Sequence, residues 1–177
     1  MNCVIDNNFN WKFKCKHGVL ITKSKHCIQC EEEKEKNLQE SIKQNIINEN
    51  KRKISYKIDK NIPTRYLNAT FDTYIANDDK KLKILRLCQE YNFDSNLIMV
   101  GKTGTGKTHL ACAILDKAFD INKSFLYIQF YKLNDIKINN KSLYGNIMHC
   151  DILVIDEYGV QDSDFKNNVL FEIINER

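Results

Sequence analysis

The amino-acid sequence lacks any long apolar run. Its apolar runs, such as "ILVI" at residues 152–155, are far shorter than the roughly 20 apolar residues that a membrane-spanning helix needs. The first residues, "MNCVIDNNFNW", also lack the apolar core of a secretory signal peptide. We therefore expect a soluble, cytoplasmic protein that has no membrane partner.

The chain is also poor in glycine and proline, which makes the positions of these residues informative. Three of its six glycines, Gly101, Gly104 and Gly106, fall within the stretch "GKTGTG". A packed core does not need such a cluster, whereas a backbone that folds closely around a ligand does. The one proline, Pro63, disfavours helical geometry in the residue before it, so we expect a domain to begin near this position.

Net charge is small as well. Lys and Arg exceed Asp and Glu by four among 177 residues, so charge alone does not indicate a nucleic-acid-binding protein. Seven cysteines are present without a secretory signal. Because cytosolic thiols stay reduced, spaced cysteines in such a chain favour a metal site over a disulfide framework.

Three zones follow one another along the chain. Residues 1–30 form a head that contains Cys and His, residues 31–60 are rich in charge, and residues 61–177 alternate between strand-like and helix-like patterns. The stretches "SNLIMVG", "SFLYIQF" and "DILVIDE" are short apolar strands between helical patterns such as "DDKKLKILRLCQEYN". This alternation predicts an α/β domain with a parallel sheet that helices cover on both faces.

The charged zone has a helical pattern of its own. Leu38, Ile42 and Ile46 recur four residues apart and give one thin apolar stripe on a solvated helix. Such a helix either connects the head to the domain or docks a partner.

The glycine cluster belongs to a longer motif. Residues 101–108, "GKTGTGKT", match G-x-x-x-x-G-K-[ST] in full, between a predicted strand and an amphipathic helix. In that context backbone N–H groups converge on phosphate oxygens at the positive end of the helix. Lys107 is expected to act as the catalytic cation at the terminal phosphates and Thr108 to bind Mg²⁺. The predicted nucleotide-binding residues of the loop are Gly101, Lys102, Thr103, Gly104, Thr105, Gly106, Lys107 and Thr108.

The stretch "ILVIDE" supplies the second half of such a site. Asp156 falls at the carboxyl end of a predicted strand, where ligands bind in open parallel sheets. We expect Asp156 to hold Mg²⁺ through water, and Glu157 to orient and deprotonate an attacking water during hydrolysis.

Two other nucleotide-binding classes are less compatible with the sequence. No Asn-Lys-x-Asp guanine reader is present, because "NKSF" and "NKSL" differ at the fourth position. A small-molecule kinase does not require Glu157, and it usually adds an arginine-rich lid that this sequence does not show.

The stretches "VGKTGTGKTHLACAIL", "ILVIDEYG" and "IPTRYLNATFDTY" together resemble DnaC/DnaI-type helicase loaders of the AAA+ superfamily, including phage and prophage forms. The transposition helper ATPase IstB is similar through the same blocks. The resemblance covers about residues 62–177 and implies an ATPase in which ATP binding governs interaction with a replicative helicase and single-stranded DNA. It also implies that "IPTRYLNATF" lies near the adenine.

Members of this family continue into a strand with a polar sensor residue and then an arginine that completes a neighbouring subunit's site. This chain ends at Arg177, before both elements. By resemblance we expect a C-terminally incomplete AAA+ sheet that binds ATP without efficient hydrolysis. Self-association with ATP is expected of the complete domain.

A second constellation lies in the head, within "CKHGVLITKSKHCIQC". Cys15, His17, Cys27 and Cys30 can present three thiolates and an imidazole to a tetrahedral Zn²⁺. About thirty residues cannot be stabilised by hydrophobic burial alone, so a metal would supply the missing stability. Phage-type loaders resemble the chain here too. The Cys15-x-His17 spacing is one residue shorter than their pattern, so His26 is an alternative fourth ligand.

The sequence thus predicts an ATP-binding AAA+ module of the helicase-loader type, preceded by a zinc-binding head and a helical linker. Mg-ATP held by Lys107, Thr108 and Asp156 would control the grip on helicase or DNA. One alternative is a transposase-partner ATPase. The other is a non-catalytic, truncated protein that binds a helicase through its head.

Overall fold

The computed structural model describes residues 3–5, 11–17, 20–21, 27–158 and 164–177. The chain divides into two compact units, Met1–Lys51 and Arg52–Arg177. Among the described residues, no helix combines the length and the apolar character that a membrane span requires.

The first unit contains three short antiparallel strands in the order β1-β2-β3. Their bounds are Cys3–Ile5 for β1, Trp11–Lys14 for β2 and Leu20–Ile21 for β3. Helix α1 spans Ile28–Asp59 and begins directly after Cys27. Cys30 therefore lies in the first turn of α1, close to the end of the strand region.

The apolar stripe on α1 is open to solvent. Leu38, Ile42 and Ile46 are 61%, 49% and 55% exposed. The helical pattern predicted for the charged zone is present, and its stripe covers no core among the described residues of the first unit.

The second unit alternates helices and strands. Its elements are α2 (Asp79–Glu90), α3 (Lys107–Asp120), β4 (Phe125–Gln129), α4 (Leu133–Asn139), α5 (Lys141–His149), β5 (Ile152–Asp156) and α6 (Asp164–Glu176). Side-chain caps begin two of the helices. The Asp78 carboxylate accepts from Lys81 N at 2.8 Å, and the Asn140 side chain accepts from Leu143 N at 2.9 Å, which satisfies N–H groups that a helix start leaves unpaired.

β4 and β5 pair in parallel, from Phe125 opposite Ile152 to Gln129 opposite Asp156. Alternate β4 side chains enter two different cores. Phe125 and Tyr127 pack in the core that α3 shares. The residues of the opposite face pack against α4, α5 and α6; they are Leu126, Ile128, Leu133, Ile136, Ile147, Val169 and Ile173. Each such buried side chain contributes about 1.5–3 kcal/mol, and the predicted α/β fold with both sheet faces covered is confirmed.

The strand predicted at "SNLIMVG" is wrong, because residues 96–100 form neither strand nor helix. Ile98 is 83% exposed and Val100 90% exposed. Strand structure requires a hydrogen-bonding neighbour, and the described residues pair β5 only with β4. Instead, the 96–99 segment and β5 both line a cavity of about 720 Å³. The apolar composition of this segment predicted a strand, but composition does not show which neighbouring strand would pair with it.

Candidate functional site

The phosphate loop, residues 101–106, leads directly into the first turn of α3. Gly104 has φ +82° and Gly106 has φ +87°, angles that residues with a Cβ atom rarely adopt. Gly106 carries a second constraint, because a Cβ atom built there would lie 2.6 Å from Cε2 of Tyr74. Position 106 therefore needs glycine both for its backbone angle and for the close approach of an aromatic ring.

The Lys107 ammonium is held against the loop backbone. Its Nζ donates to the carbonyl oxygen of Gly101 at 2.9 Å and to that of Lys102 at 2.8 Å. Both hydrogen bonds are charge-assisted. The cation therefore lies beside the N-terminal end of α3, where free N–H groups and the helix dipole also favour an anion.

Thr108 and Asp156 meet beside the loop. Thr108 lies in the first turn of α3 and Asp156 ends β5, so packing of the helix on the sheet brings the two together. Thr108 Oγ1 donates to Asp156 Oδ2 at 2.7 Å, and Asp156 Oδ1 accepts from Glu157 N at 2.8 Å. Hydroxyl and carboxylate oxygens are the ligands that Mg²⁺ prefers, directly or through water. Two motifs that are far apart in sequence thus form one oxygen-rich site.

A further donor to Asp156 was not predicted. The Tyr127 hydroxyl donates to Asp156 Oδ2 at 2.6 Å, and Tyr127 is 2% exposed. Burial and the adjacent Asp156 carboxylate raise the pKa of Tyr127 above its ordinary value, so the phenol keeps its proton. In the sequence this tyrosine is one aromatic residue of an apolar strand, and the pattern gives no sign of a polar role.

Glu157 follows β5 in an unusual backbone conformation. Its φ is +62°, which is rare for a residue with a side chain and costs of order 1–3 kcal/mol. Gln129 Nε2 donates to Glu157 Oε2 at 3.2 Å, and the Tyr131 hydroxyl donates to Gln129 Oε1 at 2.8 Å. The carboxylate next to Asp156 is therefore held by an amide from the neighbouring strand, a contact that the sequence did not predict.

The segment before α2 packs on the phosphate loop. The Tyr74 hydroxyl donates to Thr105 O at 3.2 Å, and His109 Nε2 lies 3.0 Å from Thr70 O. The Tyr74 and His109 rings form an edge contact with centroids 5.6 Å apart. Tyr74 belongs to the stretch "IPTRYLNATFDTY" that carries the family resemblance, so this stretch adjoins the loop. The adenine position stays a prediction.

The predicted ligands of the head come together in the first unit. One ligand atom from each of Cys15, His17, Cys27 and Cys30 lies within 4.8 Å of the other three. His17 Nδ1 is 3.4 Å from Cys30 Sγ and 3.8 Å from Cys27 Sγ. The alternative ligand, His26, lies outside the described residues.

The other ring nitrogen of His17 has a different partner. His17 Nε2 lies 3.0 Å from Glu33 Oε1, and Lys16 pairs with the second oxygen of Glu33. The hydrogen bond from Lys16, followed by that from His17, lowers the pKa of Glu33. An ionised Glu33 favours a proton on Nε2, which leaves the lone pair of Nδ1 directed at the thiols.

A parallel sheet, a glycine-rich loop at a helix N-terminus and an acidic pair at a strand end together define a P-loop nucleotide-binding protein. Comparison with known families specifies the class further. Residues 21–177 match the family described as IstB-like ATP binding protein. The chain belongs to this family, and it is a DnaC/IstB-type member of the AAA+ ATPases.

Curated relatives carry the same family relationship. The replicative helicase loader DnaC of Buchnera aphidicola subsp. Baizongia pistaciae (strain Bp) is 32% identical over 127 residues, which cover 63% of this chain and 52% of that protein. The replicative helicase loader DnaC of Escherichia coli (strain K12) is 30% identical over 124 residues, which cover 62% and 51%. The chain spans about half the length of the curated relatives it matches.

Proposed function

We propose that this chain is an ATP-binding DNA replication protein of the helicase-loader type, in which Mg-ATP controls interaction with a replicative helicase and single-stranded DNA. The observation that carries the proposal is the 2.7 Å hydrogen bond from Thr108 to Asp156 beside the phosphate loop. This contact brings together the two residues that would hold Mg²⁺ beside a bound nucleotide. Support for the helicase partner comes from relatives that are named replicative helicase loaders.

The switch begins with an exchange of partners at the loop. Lys107 bonds to two loop carbonyls, and phosphate oxygens of ATP would replace them. Thr108 and Asp156 would hold Mg²⁺, which supplies charge to neutralise the phosphates. A ligand shifts a conformational equilibrium only through its different affinity for the two states. Here that difference arises at the first turn of α3.

Calorimetric titration of the chain with Mg-ATP tests nucleotide binding. Lys107→Ala removes the cation that faces the terminal phosphates, and charged hydrogen bonds contribute about 1.5–3 kcal/mol each. Binding should weaken by at least about tenfold. Lys83→Ala, an exposed change on α2, is the matched control and should bind like wild type. Equal affinities for Lys107→Ala and wild type would rule the site out.

Hydrolysis is proposed to use Glu157 as the base that orients and activates water. Its support is the position next to Asp156 and the strained backbone, since such strain concentrates at functional sites. Wild-type turnover should be slow, and Glu157→Gln should keep ATP affinity while losing the phosphate release that remains in a turnover assay. Unchanged turnover in this variant would remove Glu157 from the mechanism.

The partner is tested with purified proteins. The immobilised chain should retain a replicative helicase in the presence of Mg-ATP, and the Lys107→Ala variant should not retain it. Binding of labelled single-stranded DNA, measured by fluorescence anisotropy, should likewise require Mg-ATP and be lost in Lys107→Ala. The family description favours a second candidate, a transposase-partner ATPase. Binding to such a transposase without helicase binding would support it. Helicase binding of equal affinity with and without Mg-ATP would support a non-catalytic interaction protein. Light scattering with and without Mg-ATP measures the proposed self-association.

The head is proposed to hold one Zn²⁺ through Cys15, His17, Cys27 and Cys30. Tetrahedral bonds of about 2.3 Å to sulfur and 2.0 Å to nitrogen place neighbouring ligand atoms roughly 3.5–3.8 Å apart. The distances from His17 Nδ1 to two thiols, 3.4 and 3.8 Å, lie within about 0.3 Å of the nitrogen-to-sulfur separation of roughly 3.5 Å. A four-ligand zinc of this kind stabilises the fold and leaves no position for catalysis.

Elemental analysis of chain purified without chelator should find one zinc per molecule. Removal of zinc should unfold the head, because metal binding supplies the folding free energy of so small a unit. His17→Ala should lose the metal. Loss of zinc in His26→Ala but not in His17→Ala would identify His26, rather than His17, as the fourth ligand. Absence of zinc from the wild-type chain would contradict the site.

A further inference from the structure

Asp156 is held by three donors, and one of them belongs to neither nucleotide motif. Thr108 Oγ1 and the Tyr127 hydroxyl both donate to Asp156 Oδ2, at 2.7 and 2.6 Å, while Glu157 N donates to Oδ1 at 2.8 Å. The phenol lies in β4, where Tyr127 is paired with Val154. Because side chains two residues apart share one face of a strand, Tyr127 and Asp156 project from the same face of the sheet.

The ring of Tyr127 is fixed before any ligand arrives. It is 2% exposed and packs in the core formed by β4 and α3, with Cys112 and Leu115 among its members. A tyrosine has only two side-chain rotations, so a packed ring places its hydroxyl with little freedom. A buried phenol also needs a hydrogen-bond partner, and here that partner is the carboxylate.

We propose that Tyr127 is a positioning residue for magnesium, because its hydroxyl fixes the Asp156 carboxylate in the orientation that binds hydrated Mg²⁺. The inference rests on the proposed function, since it needs Mg-ATP at the phosphate loop. Thr108 must turn lone pairs of its own hydroxyl toward the cation. The Tyr127 hydroxyl is not a metal ligand in this proposal, so it can donate to Asp156 both before and after the metal binds. Residues that orient metal ligands contribute strongly to metal affinity.

The test compares Mg²⁺ dependence with nucleotide binding itself. Tyr127→Phe removes one oxygen and keeps the packed ring. Binding of a fluorescent ATP analogue, titrated with Mg²⁺, should need about tenfold more Mg²⁺ to reach its midpoint, while affinity in EDTA stays at the wild-type value. Tyr144→Phe is the matched control, because the Tyr144 hydroxyl donates to a different carboxylate, Glu172 Oε1, at 2.8 Å. Its Mg²⁺ midpoint should not change.

The Asp156→Asn variant provides a second experiment, which does not depend on the stability of Tyr127→Phe alone. If Tyr127 acts through the carboxylate, Tyr127→Phe should add no further shift of the Mg²⁺ midpoint in the Asp156→Asn background. An additional shift there would overturn the inference.

The remaining outcomes separate the two claims. A Mg²⁺ midpoint of Tyr127→Phe equal to or below that of wild type overturns the positioning role while the proposed function stands. Equal loss of affinity with Mg²⁺ and in EDTA overturns it too, because a purely structural defect does not distinguish the two conditions. Failure of wild type to bind Mg-ATP overturns the proposed function, and this inference with it.

Discussion

Lys57 is buried in the second unit and bonds to two groups there, one of which lies in α3, the helix that follows the phosphate loop. Its side chain is 3% exposed, and Nζ lies 2.6 Å from Asp116 Oδ1. It also donates to Leu67 O at 2.7 Å. Asp116 lies in α3, and Lys53 Nζ is 3.0 Å from its second oxygen. Lys57→Met keeps most of the aliphatic side chain and removes the ammonium group with its charge and hydrogen bonds, which makes it a direct test of these contacts.

The magnitude follows from what the substitution leaves behind. Removing one partner of a buried ion pair costs about 3–5 kcal/mol, because the other charge stays buried without compensation. Asp116 keeps Lys53 as a neighbour, which reduces this cost, while the Leu67 carbonyl loses its donor and adds about 1–3 kcal/mol. We expect a loss near 3 kcal/mol in the free energy of unfolding. For a unit of this size that lowers Tm by roughly 10 °C.

Urea denaturation and thermal melting followed by circular dichroism measure the effect. Lys83→Met, an exposed change on α2, is the control and should stay within about 0.5 kcal/mol of wild type. Lys57→Met combined with Asp116→Leu should lose less than the sum of the single changes, since the second change removes the unpaired carboxylate. A loss below about 1 kcal/mol for Lys57→Met would show that the buried ammonium contributes little to the stability of this unit.

Three further predictions concern separate parts of the chain. Gly106→Ala should lower both ATP affinity and stability, because φ is +87° and the new Cβ would lie 2.6 Å from the Tyr74 ring. Gly145→Ala in α5, where a Cβ meets nothing within 4 Å, should raise the free energy of unfolding by about 0.5–1 kcal/mol. A higher melting temperature for Gly106→Ala, or a lower one for Gly145→Ala, would contradict this. Glu33→Gln should weaken Zn²⁺ binding by about 10- to 100-fold in a chelator competition, and unchanged affinity would separate Glu33 from the metal site. Hydrogen bonds from Ser124 lower the pKa of Asp151, so Asp151 contributes stability above its unfolded pKa of about 3.9, and this stability is lost as pH falls through the folded pKa. In urea titrations the difference in free energy of unfolding between wild type and Asp151→Asn should therefore narrow below about pH 4. A difference that stays constant with pH would show that the carboxylate charge is not involved.

Some of the site was predictable because spacing alone encodes its geometry. A glycine-rich loop followed by Lys107 and Thr108 places N–H groups, a cation and a hydroxyl at one helix start. Asp156 was predictable because it ends an apolar strand, and the carboxyl ends of parallel strands meet at one edge of a sheet. These residues depend on their own motif and on one general rule of α/β folds, so their arrangement can be inferred before any tertiary contact is known.

Other contacts depend on which elements become neighbours, and the sequence does not specify that. Residues 96–100 have the composition of a strand, yet in the described structure they pair with no edge. Lys57 belongs by composition to the charged linker, although it is 2% exposed as a whole residue and pairs with α3. Tyr127 has the pattern of an apolar strand residue, although its hydroxyl bonds to Asp156. In each case the partner lies in a different element, so local pattern could not supply it.

The unpredicted contacts share one consequence for the proposed switch. α3 is joined at its first turn to β5 through Thr108 and Asp156, and farther along to α1 through Asp116 and Lys57. Both links are charge-assisted hydrogen bonds to carboxylates that are at least partly buried, where such bonds are stronger than in water. A nucleotide at the loop therefore acts on a helix that is held on two sides. In the proposed switch, a movement of the first turn of α3 would therefore load the Asp116–Lys57 pair at the C-terminal end of α1.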